Sequence, residues 1–521
     1  MEIVEDKALV FRTRNPDKYS IIPKHKIIEQ DGDTYKIAVY WGLDETRVLR
    51  NLGVKDVPSP ITRRYNWPGR YKPMQHQADT SSFLTLNKKG FVFNDPGTGK
   101  TLSALWAADY LMSRGLVRRC LILCPLSIMH SAWMSDLNNS IIHRSAIVAH
   151  HAQAAKRIEM IQSDYEFVIC NYEGLNLIAD EINNDGRFDL IIVDEANAYK
   201  NPTTVRWRTL AKLVTKDTWL WMMTGTPAAQ SPEDAFGLAR LINPEGVPRY
   251  KTAWKDKVMY QVSRFRWLPK RDAQETVFNA LQPAIRYEKA QCLDLPDVLY
   301  QDRLVPLTPQ ATKYYKDLVK EMQIKTAGET ISTVNAAAAI SRLLQLSGGA
   351  VYTDDGNVVE FDVSSRLQVL KEVLDEAAHK VLVFVPYRHT LNLVQNFLNN
   401  EGVSNEIISG DVTASARSRI FNQFQTASDP KVLLIQPQAA SHGVTLTAAD
   451  TIVFWSPVMS VETYLQCVAR IDRVGQQNKM TVIHLQGSEV EKRMYKMLQS
   501  KVDMHERLVD LYCEEMEESN E

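Results

Sequence analysis

The chain has 521 residues, a formal net charge of −1, 45% hydrophobic residues and 24% charged residues. That length is too great for one ordinary core and predicts roughly two to four domains of globular composition. The near-zero charge excludes a protein that holds polyanions by global attraction, so any contact with nucleic acid must rest on local patches.

Residues 1–14 mix both signs of charge and do not read as a secretory leader, and no apolar run reaches membrane-spanning length. Of the six cysteines only Cys120 and Cys124 lie close together, two pleats apart in an apolar stretch. That spacing predicts buried packing rather than metal binding, in a reducing intracellular compartment, cytoplasmic or nucleoid-associated.

In chain order, residues 1–65 predict a small α+β accessory domain, with a strand over 35–41 and a helix over 43–52. Prolines in 57–60 and 68–73 mark a connector. Apolar strands then recur at 91–93, 121–123, 167–170, 190–193 and 219–223, with helical stretches between most of them. This alternation predicts a parallel sheet covered on both faces, with ligands at the C-terminal ends of its strands. The first α/β lobe is expected over 66–244 and a mainly helical insertion over 245–355. A second α/β lobe, with strands at 381–385, 432–435, 451–454 and 481–484, is expected over 356–512, before an acidic solvated tail, 513–521. Val490, Met494, Met497 and Leu498 form an apolar stripe at helical spacing, expected to dock onto that second lobe.

The stretch 91–101, FVFNDPGTGKT, runs from strand end through a Gly/Pro-rich turn into a helix-forming run, 102–111. Gly97, Thr98, Gly99, Lys100 and Thr101 fall where a phosphate-binding loop needs them. Glycines let backbone N–H groups close on phosphate oxygens, the lysine reaches the β- and γ-phosphates of ATP, and the threonine hydroxyl holds Mg²⁺. Asn94 stands where such loops usually begin with Gly or Ala; the plain alternative is a Gly-rich turn without a ligand. After the apolar run 190–193 come Asp194 and Glu195. Paired carboxylates at a buried strand end need a cation, so Asp194 is expected to bind Mg²⁺ and Glu195 to orient and deprotonate the attacking water.

Beyond these residues the chain, over 71–512, resembles the Swi/Snf-type ATPases of helicase superfamily 2, in a compact version with DEAN at motif II. Lys72-Pro73-Met74-Gln75 resembles the adenine-reading Q motif, with Gln75 as the reader. Leu123-Cys124-Pro125-Leu126-Ser127 resembles motif Ia, Asn171-Tyr172-Glu173 the next strand-end motif, Asp194-Glu195-Ala196-Asn197 motif II, and Thr224-Gly225-Thr226-Pro227 motif III. Arg286, Lys289 and Leu295-Pro296 match the inter-lobe segment, and Ser365-Arg366-Leu367 motif IV. Gly443 and Leu446-Thr447-Ala448-Ala449-Asp450 resemble motif V; Gln466, Arg470, Arg473, Gly475 and Gln476 resemble motif VI. The resemblance implies two RecA-like lobes, a nucleotide contact at Gln466, and two arginines, Arg470 and Arg473, that reach the γ-phosphate. Asn197 replaces a common His, and Gln436-Pro437-Gln438 and Ser441-His442 depart from the usual motif V.

The resulting expectation is an ATP-dependent DNA translocase or helicase-like motor on duplex DNA, a monomer with ATP and Mg²⁺ and no structural metal. The competing readings are a strand-separating helicase on RNA or single-stranded DNA and a slowly hydrolysing ATP-gated DNA clamp. His76, His130, His150 and His151 lack cysteine or carboxylate partners at ligand spacing and are expected in packing or surface roles. The run 263–271, with Arg264, Arg266, Lys270 and Arg271 interleaved with Phe265 and Trp267 and preceded by Lys251, Lys255 and Lys257, is expected in the helical insertion. It reads either as a contact for backbone phosphates or as a solvated face.

Overall fold

Alternating apolar and polar residues open the chain with a four-stranded antiparallel sheet. In the computed structural model, which describes residues 1–225, 227, 231–263, 266–293, 295–326, 333–352, 358–440 and 444–500, its strands are Glu2–Val4 (β1), Ala8–Thr13 (β2), His25–Asp31 (β3) and Thr34–Tyr40 (β4). Their spatial order is β1-β2-β4-β3. Leu9, Ile37, Val39 and Trp41 are fully buried with Leu49 of the helix Leu43–Asn51. The Trp41 indole donates to the Pro58 carbonyl at 2.8 Å, and Arg47 Nη2 donates to the Thr85 carbonyl at 2.7 Å. Ser59 Oγ and Thr85 Oγ1 lie 2.7 Å apart, which ties the connector to the helix Gln75–Leu86.

The sheet that follows is built from Lys89–Val92 (β5), Arg119–Cys124 (β6), Ala146–Val148 (β7), Phe167–Asn171 (β8), Phe188–Val193 (β9) and Trp219–Met223 (β10). A hairpin, Met259–Ser263 (β11) with Arg266–Pro269 (β12), intervenes before Ala284–Ile285 (β13) joins the same sheet. The order is β13-β5-β10-β9-β6-β8-β7, every pair parallel. Every residue of β6 and β8 is buried, which is why such strands read as unbroken apolar runs. Cys120 and Cys124 sit within β6, where burial pushes both thiols well above their ordinary range; they are packing residues, as their spacing predicts.

The segment read as mainly helical does contain the helices Lys251–Val258, Ala273–Ala280, Pro309–Thr326 and Thr333–Gly348. It also contains the β11–β12 hairpin, so the cation-rich run expected on an insertion helix lies partly on a strand instead. The alternation of aromatic and cationic residues there has the period of a strand, not of a helix, and Pro269 closes it. Arg264 and Phe265 lie outside the described residues.

A second parallel sheet is formed by Val298–Leu304 (β14), Lys380–Phe384, Asn405–Ile408, Val432–Ile435, Ala449–Phe454 and Met480–Gln486. Reading across the sheet, β14 is followed by 480–486, 449–454, 380–384, 432–435 and 405–408, again all parallel. The two sheets have separate cores. The chain divides into two compact units, residues 1–225 with 237–246 and 281–292, and residues 226–236 and 247–280 with 293–521. Among the described residues no helix is long and apolar enough to cross a membrane.

The helix Glu489–Gln499 buries Val490, Met494, Met497 and Leu498 in the core of the second unit, so the stripe is a docking face. Residue 512 and the acidic tail lie outside the described residues. The start of that helix is fastened by a buried ion pair. Arg366 Nη1 and Nη2 donate to Glu491 Oε1 and Oε2 at 2.9 and 2.8 Å, and the two side chains are 3% and 0% exposed. Arg366 Nη1 also donates to the Trp455 carbonyl at 2.6 Å. In Arg366→Ala the Glu491 carboxylate is left buried without its cation, so the variant is expected to lose about 3–5 kcal/mol of stability in denaturant unfolding. A loss below about 1 kcal/mol, the scale of an exposed pair, would contradict this.

Candidate functional site

Register places three loops side by side in the first unit. Strand β10 lies between β5 and β9, with Met223 opposite Val92 and Met222 opposite Val193. The loop after β5, the Asp194-Glu195 pair after β9 and Thr224-Gly225 after β10 therefore leave the same C-terminal edge of the sheet, where open parallel sheets place their ligands. Gly225 is held to close quarters: a Cβ there would come 2.7 Å from Pro96 Cδ. Thr224 is fully buried and its N–H donates to the Val92 carbonyl at 3.0 Å. Thr226 lies outside the described residues.

The loop after β5 has the backbone its sequence requires. Gly97 and Gly99 have φ of +87° and +80°, in the left-handed region that favours glycine. A Cβ at Gly99 would come 2.1 Å from Gln77 Nε2. The helix Lys100–Ser113 begins immediately afterwards, which puts Thr101 in its first turn. Lys100 Nζ arches back over the loop and donates to the carbonyls of Asn94 and Asp95 at 2.8 and 3.2 Å. Thr98 is buried; its hydroxyl donates to the Asp95 carbonyl at 2.8 Å.

Asn94, the departure from the usual loop, has a structural task. It is buried, its Nδ2 donates to Thr80 Oγ1 at 2.9 Å, and its Oδ1 accepts from the Tyr287 N–H at 3.1 Å. The loop is thereby joined to the helix Gln75–Leu86 and to the segment after β13, whose Lys289 N–H donates to Asp95 Oδ2 at 3.0 Å. Gln75 sits exposed on the first turn of that helix, its amide donating to Asp79 Oδ1 at 2.9 Å. The glutamine that touches the loop is Gln77, whose Nε2 donates to the Thr98 carbonyl at 3.2 Å beside His76 Nε2 at 2.8 Å. Residues two apart point to opposite sides of a helix, so only one of the two glutamines can face the loop. His76 has the packing role expected of it.

Asp194 is 8% exposed, and burial raises its carboxyl above the ordinary range against the pull of the Lys100 charge. Its Oδ2 accepts from Trp133 Nε1 at 2.9 Å and its Oδ1 from the Glu195 N–H at 3.0 Å. A buried carboxylate with a threonine hydroxyl near a helix start is an oxygen donor set of the kind Mg²⁺ takes, so the residues present fit that ion. Glu195 is half-buried, with φ +46° and ψ +57°. A left-handed non-glycine residue costs about 1–2 kcal/mol, and its surroundings must hold it there. They do: the Tyr172 hydroxyl donates to the Asp194 carbonyl at 2.6 Å, while the N–H of the same peptide is held by the Asp194 side chain. Tyr172 is itself buried, edge-on to Tyr199 at 5.5 Å.

Sequence reasoning assigned no role in the site to Tyr172, Trp133 or Gln77, because each acts through a contact between distant segments. Tyr172→Phe keeps the ring packing and removes only the grip on the peptide before Glu195. It is expected to lower kcat for ATP hydrolysis about tenfold, on the scale of a single hydrogen bond, with KM for ATP changed less than about twofold. A parental kcat would show that Tyr172 does not position Glu195.

Elsewhere in this unit, Asn197 lies in the turn Ala196–Tyr199, and Glu173 pairs with Arg206 at 3.4 Å. Pro125 and Leu126 follow β6, and the side chain of Ser127 is not among those described.

In the second unit the motif V and VI residues come together. Arg470, 3% exposed, donates from Nε to the Gln466 carbonyl and from Nη1 to the Val444 carbonyl, both at 2.8 Å. Arg473 Nη1 donates to Thr445 Oγ1 at 3.0 Å. Gln466 is buried and its amide lies 3.4 Å from Glu462 Oε1. Gln476 Nε2 donates to the Ala449 carbonyl at 2.8 Å. Gln425, not singled out by the sequence, accepts from the Ala448 N–H at 2.9 Å, and His379 Nδ1 lies 2.6 Å from Asp450 Oδ2. Ser441, His442 and Gly443 lie outside the described residues. Of the cation-rich run, Lys255 Nζ sits 4.4 Å from the Trp267 ring centroid and 3.0 Å from Glu233, and Lys270 Nζ donates to the Asp256 carbonyl at 2.6 Å.

Residues 38–348 match the model of the SNF2-related domain, and residues 365–475 that of the helicase conserved C-terminal domain. Chromodomain-helicase-DNA-binding protein 1-like of Mus musculus is 25% identical over 449 residues, covering 81% of this chain and 48% of its own. Its counterpart in Danio rerio is 26% identical over 474 residues, covering 84% and 44%. Putative protein p41 of Acyrthosiphon pisum secondary endosymbiont phage 1 is 25% identical over 421 residues, covering 77% and 88%. The chain thus spans about half the length of the two chromodomain relatives and most of the phage protein. A Sulfolobus solfataricus SWI2/SNF2 ATPase core solved in complex with dsDNA is 19% identical, covering 87% of this chain and 96% of its own, with a TM-score of 0.41. With 38–348 of its 521 residues inside one family model, the chain belongs to the SNF2-related family of helicase-type ATPases.

Proposed function

We propose that this chain is an ATP-hydrolysing motor that moves along duplex DNA or remodels DNA–protein complexes. The observation that carries the reading is the convergence of the 93–101 loop, Asp194-Glu195 and Thr224-Gly225 on one sheet edge. In this reading residues 1–65 are an accessory domain, 66–244 and 356–512 form most of two RecA-like lobes, and 245–355 joins them while giving β13 to the first sheet and β14 to the second. The backbone of Gly97, Thr98 and Gly99 cradles the phosphates at the helix N-terminus. Lys100 exchanges the carbonyls of Asn94 and Asp95 for β- and γ-phosphate oxygens. Thr101 and Asp194 would hold Mg²⁺, which when bound supplies neutralising charge to those phosphates. Glu195 takes the proton of the attacking water. Arg470 and Arg473 stabilise charge on the γ-phosphate in the transition state, Gln466 contacts the nucleotide, and Gln75, exposed on the first turn of the helix whose Gln77 holds the loop, reads the adenine away from the phosphates.

Gly225 pressed against Pro96 supports a route by which the phosphate loop and motif III respond to one another, as a motor requires. The test is ATP turnover by the full chain with duplex DNA, single-stranded DNA and RNA. Strongest stimulation by duplex DNA, with no strand separation, is expected. Stimulation by single strands or RNA alone would favour a strand-separating helicase, and nucleic-acid binding without turnover would favour an ATP-gated clamp.

A further inference from the structure

The first turn of the helix Gln75–Leu86 begins a chain of hydrogen bonds that leads away from the phosphate loop and returns to it. Gln75 Nε2 donates to Asp79 Oδ1 at 2.9 Å, one turn further along the same helix face. Asp79 is half-buried, and its other oxygen, Oδ2, accepts from the Tyr287 hydroxyl at 3.0 Å, from a segment 208 residues further along the chain. Tyr287 is fixed through its backbone. Its N–H donates to Asn94 Oδ1 at 3.1 Å and its carbonyl accepts from the Asp95 N–H at 3.0 Å, so the segment after β13 runs alongside the loop. Its ring lies 5.9 Å from that of His76, whose Nε2 meets the Thr98 carbonyl. Burial, with the hydrogen bond to Asp79 and the charge of that carboxylate, pushes the Tyr287 phenol up to about 12, so the hydroxyl keeps its proton at neutral pH and donates.

A carboxylate accepts hydrogen bonds and offers none. Of the two ends of the Gln75 amide, only the nitrogen can therefore face Asp79, and the Tyr287 hydroxyl on Oδ2 holds the carboxylate in that place. The amide is fixed one way round, which leaves Oε1 and the second N–H of Nε2, side by side, to meet a ligand. An acceptor beside a donor complements adenine, whose N6 amino group donates beside the N7 acceptor. A 6-oxopurine presents two acceptors, O6 and N7, and would set O6 against Oε1. Turned round, the same amide would put its nitrogen against O6 and accept the wrong base. A Gln–Asp pair on one helix turn is by itself an ordinary surface contact. The hydroxyl brought to it from the segment after β13 is what makes it a fixed one.

We infer that Asp79 and Tyr287 are positioning residues that fix the Gln75 amide to read a 6-aminopurine, and that they set the preference of this site for ATP over 6-oxopurine nucleoside triphosphates. The inference rests on the reading of the chain as an ATP-hydrolysing motor with Gln75 at the base. Since Tyr287 is also bound to Asn94 and Asp95, the group that orients the base reader is tied to the loop that holds the phosphates in that reading. Base and phosphates are then positioned by one connected set of residues, all within the first unit.

The experiment compares ATP with inosine triphosphate, whose base presents O6 and N7 and lacks the amino group of guanine. Affinities are measured on the full chain with Mg²⁺ by displacement of a fluorescent ATP analogue, and kcat and KM by phosphate release. The parent is expected to bind ATP about 10–100 times more tightly than inosine triphosphate. Asp79→Asn keeps the shape but offers a donor as well as an acceptor, so the Gln75 amide can turn. The preference should fall about tenfold, the weight of one net hydrogen bond, with KM for ATP changed more than kcat. Tyr287→Phe keeps the ring and releases Oδ2, and should lower the preference about threefold. In a Gln75→Ala background, where the reader is gone, Asp79→Asn should lower the preference no further. Parental preference in both folded variants, or a further fall in the Gln75→Ala background, overturns the inference and leaves the motor reading intact. So does a parent that binds the two nucleotides equally, whereas a parent that binds neither overturns both. If Asp79→Asn does not fold, Tyr287→Phe must still lower the preference by about threefold or the inference is wrong.

Discussion

Glu195→Gln is expected to bind ATP as the parent does and to lose turnover by about 10²–10⁴-fold, the usual contribution of a positioned general base. The amide keeps the shape of the carboxylate and cannot take a proton from water. Glu195 is also one of the few non-glycine residues with positive φ, and the hydrogen bonds that hold it there, from Tyr172 to the Asp194 carbonyl and from its own N–H to Asp194 Oδ1, involve its backbone and not its side chain. Glutamine keeps the size of the side chain and leaves those backbone bonds in place, so nucleotide titration with a fluorescent ATP analogue should give the parental affinity. Lys100→Ala provides the contrast. It removes the ammonium proposed to hold the phosphates and the grip of Nζ on the Asn94 and Asp95 carbonyls, so it should weaken binding and turnover together. Turnover by Glu195→Gln at the parental rate would show that another group activates water.

The second large effect is expected from the arginines after the helix Val461–Val468. Arg473→Ala should reduce kcat by about 10³–10⁵-fold with a much smaller change in nucleotide affinity, because an interaction made mainly in the transition state appears in kcat. Arg470→Ala should match it in turnover and differ in stability. Arg470 is buried and satisfies the Gln466 and Val444 carbonyls, and removing it leaves those acceptors unpaired at about 1–3 kcal/mol. Single-turnover hydrolysis with denaturant unfolding of both variants separates the two contributions. Full DNA-stimulated activity in a fragment of residues 71–244 would show that the second unit supplies nothing to the chemistry.

Much of this protein can be read from the order of its residues, and for a local reason. A strand buried on both faces is apolar along most of its length, so the runs 120–124, 167–170 and 190–193 of β6, β8 and β9 stand out in the sequence. A tight turn into a helix needs glycine at left-handed positions, so the backbone of Gly97 and Gly99 just before the helix that starts at Lys100 is legible from spacing alone. The same holds for Asp194 and Glu195, whose carboxylates stand out at the end of such a run. The hairpin β11–β12 is not legible as a strand pair, because a short run of cations and aromatics among helices suits a solvated helical face as well. What the sequence could not determine is which distant residues meet. That Gln77 rather than Gln75 faces the loop depends on the angle at which the helix Gln75–Leu86 packs. That Asn94 joins Thr80 to Tyr287 depends on β13 entering the sheet beside β5. That Tyr172 holds the peptide before Glu195 depends on β6 lying between β8 and β9, bringing two strand ends within reach of one hydroxyl. Residue type and spacing specify backbone conformation and charge over a few residues, whereas the partners of a buried polar group are chosen by packing and by the cost of leaving that group unpaired, and only the tertiary structure decides them.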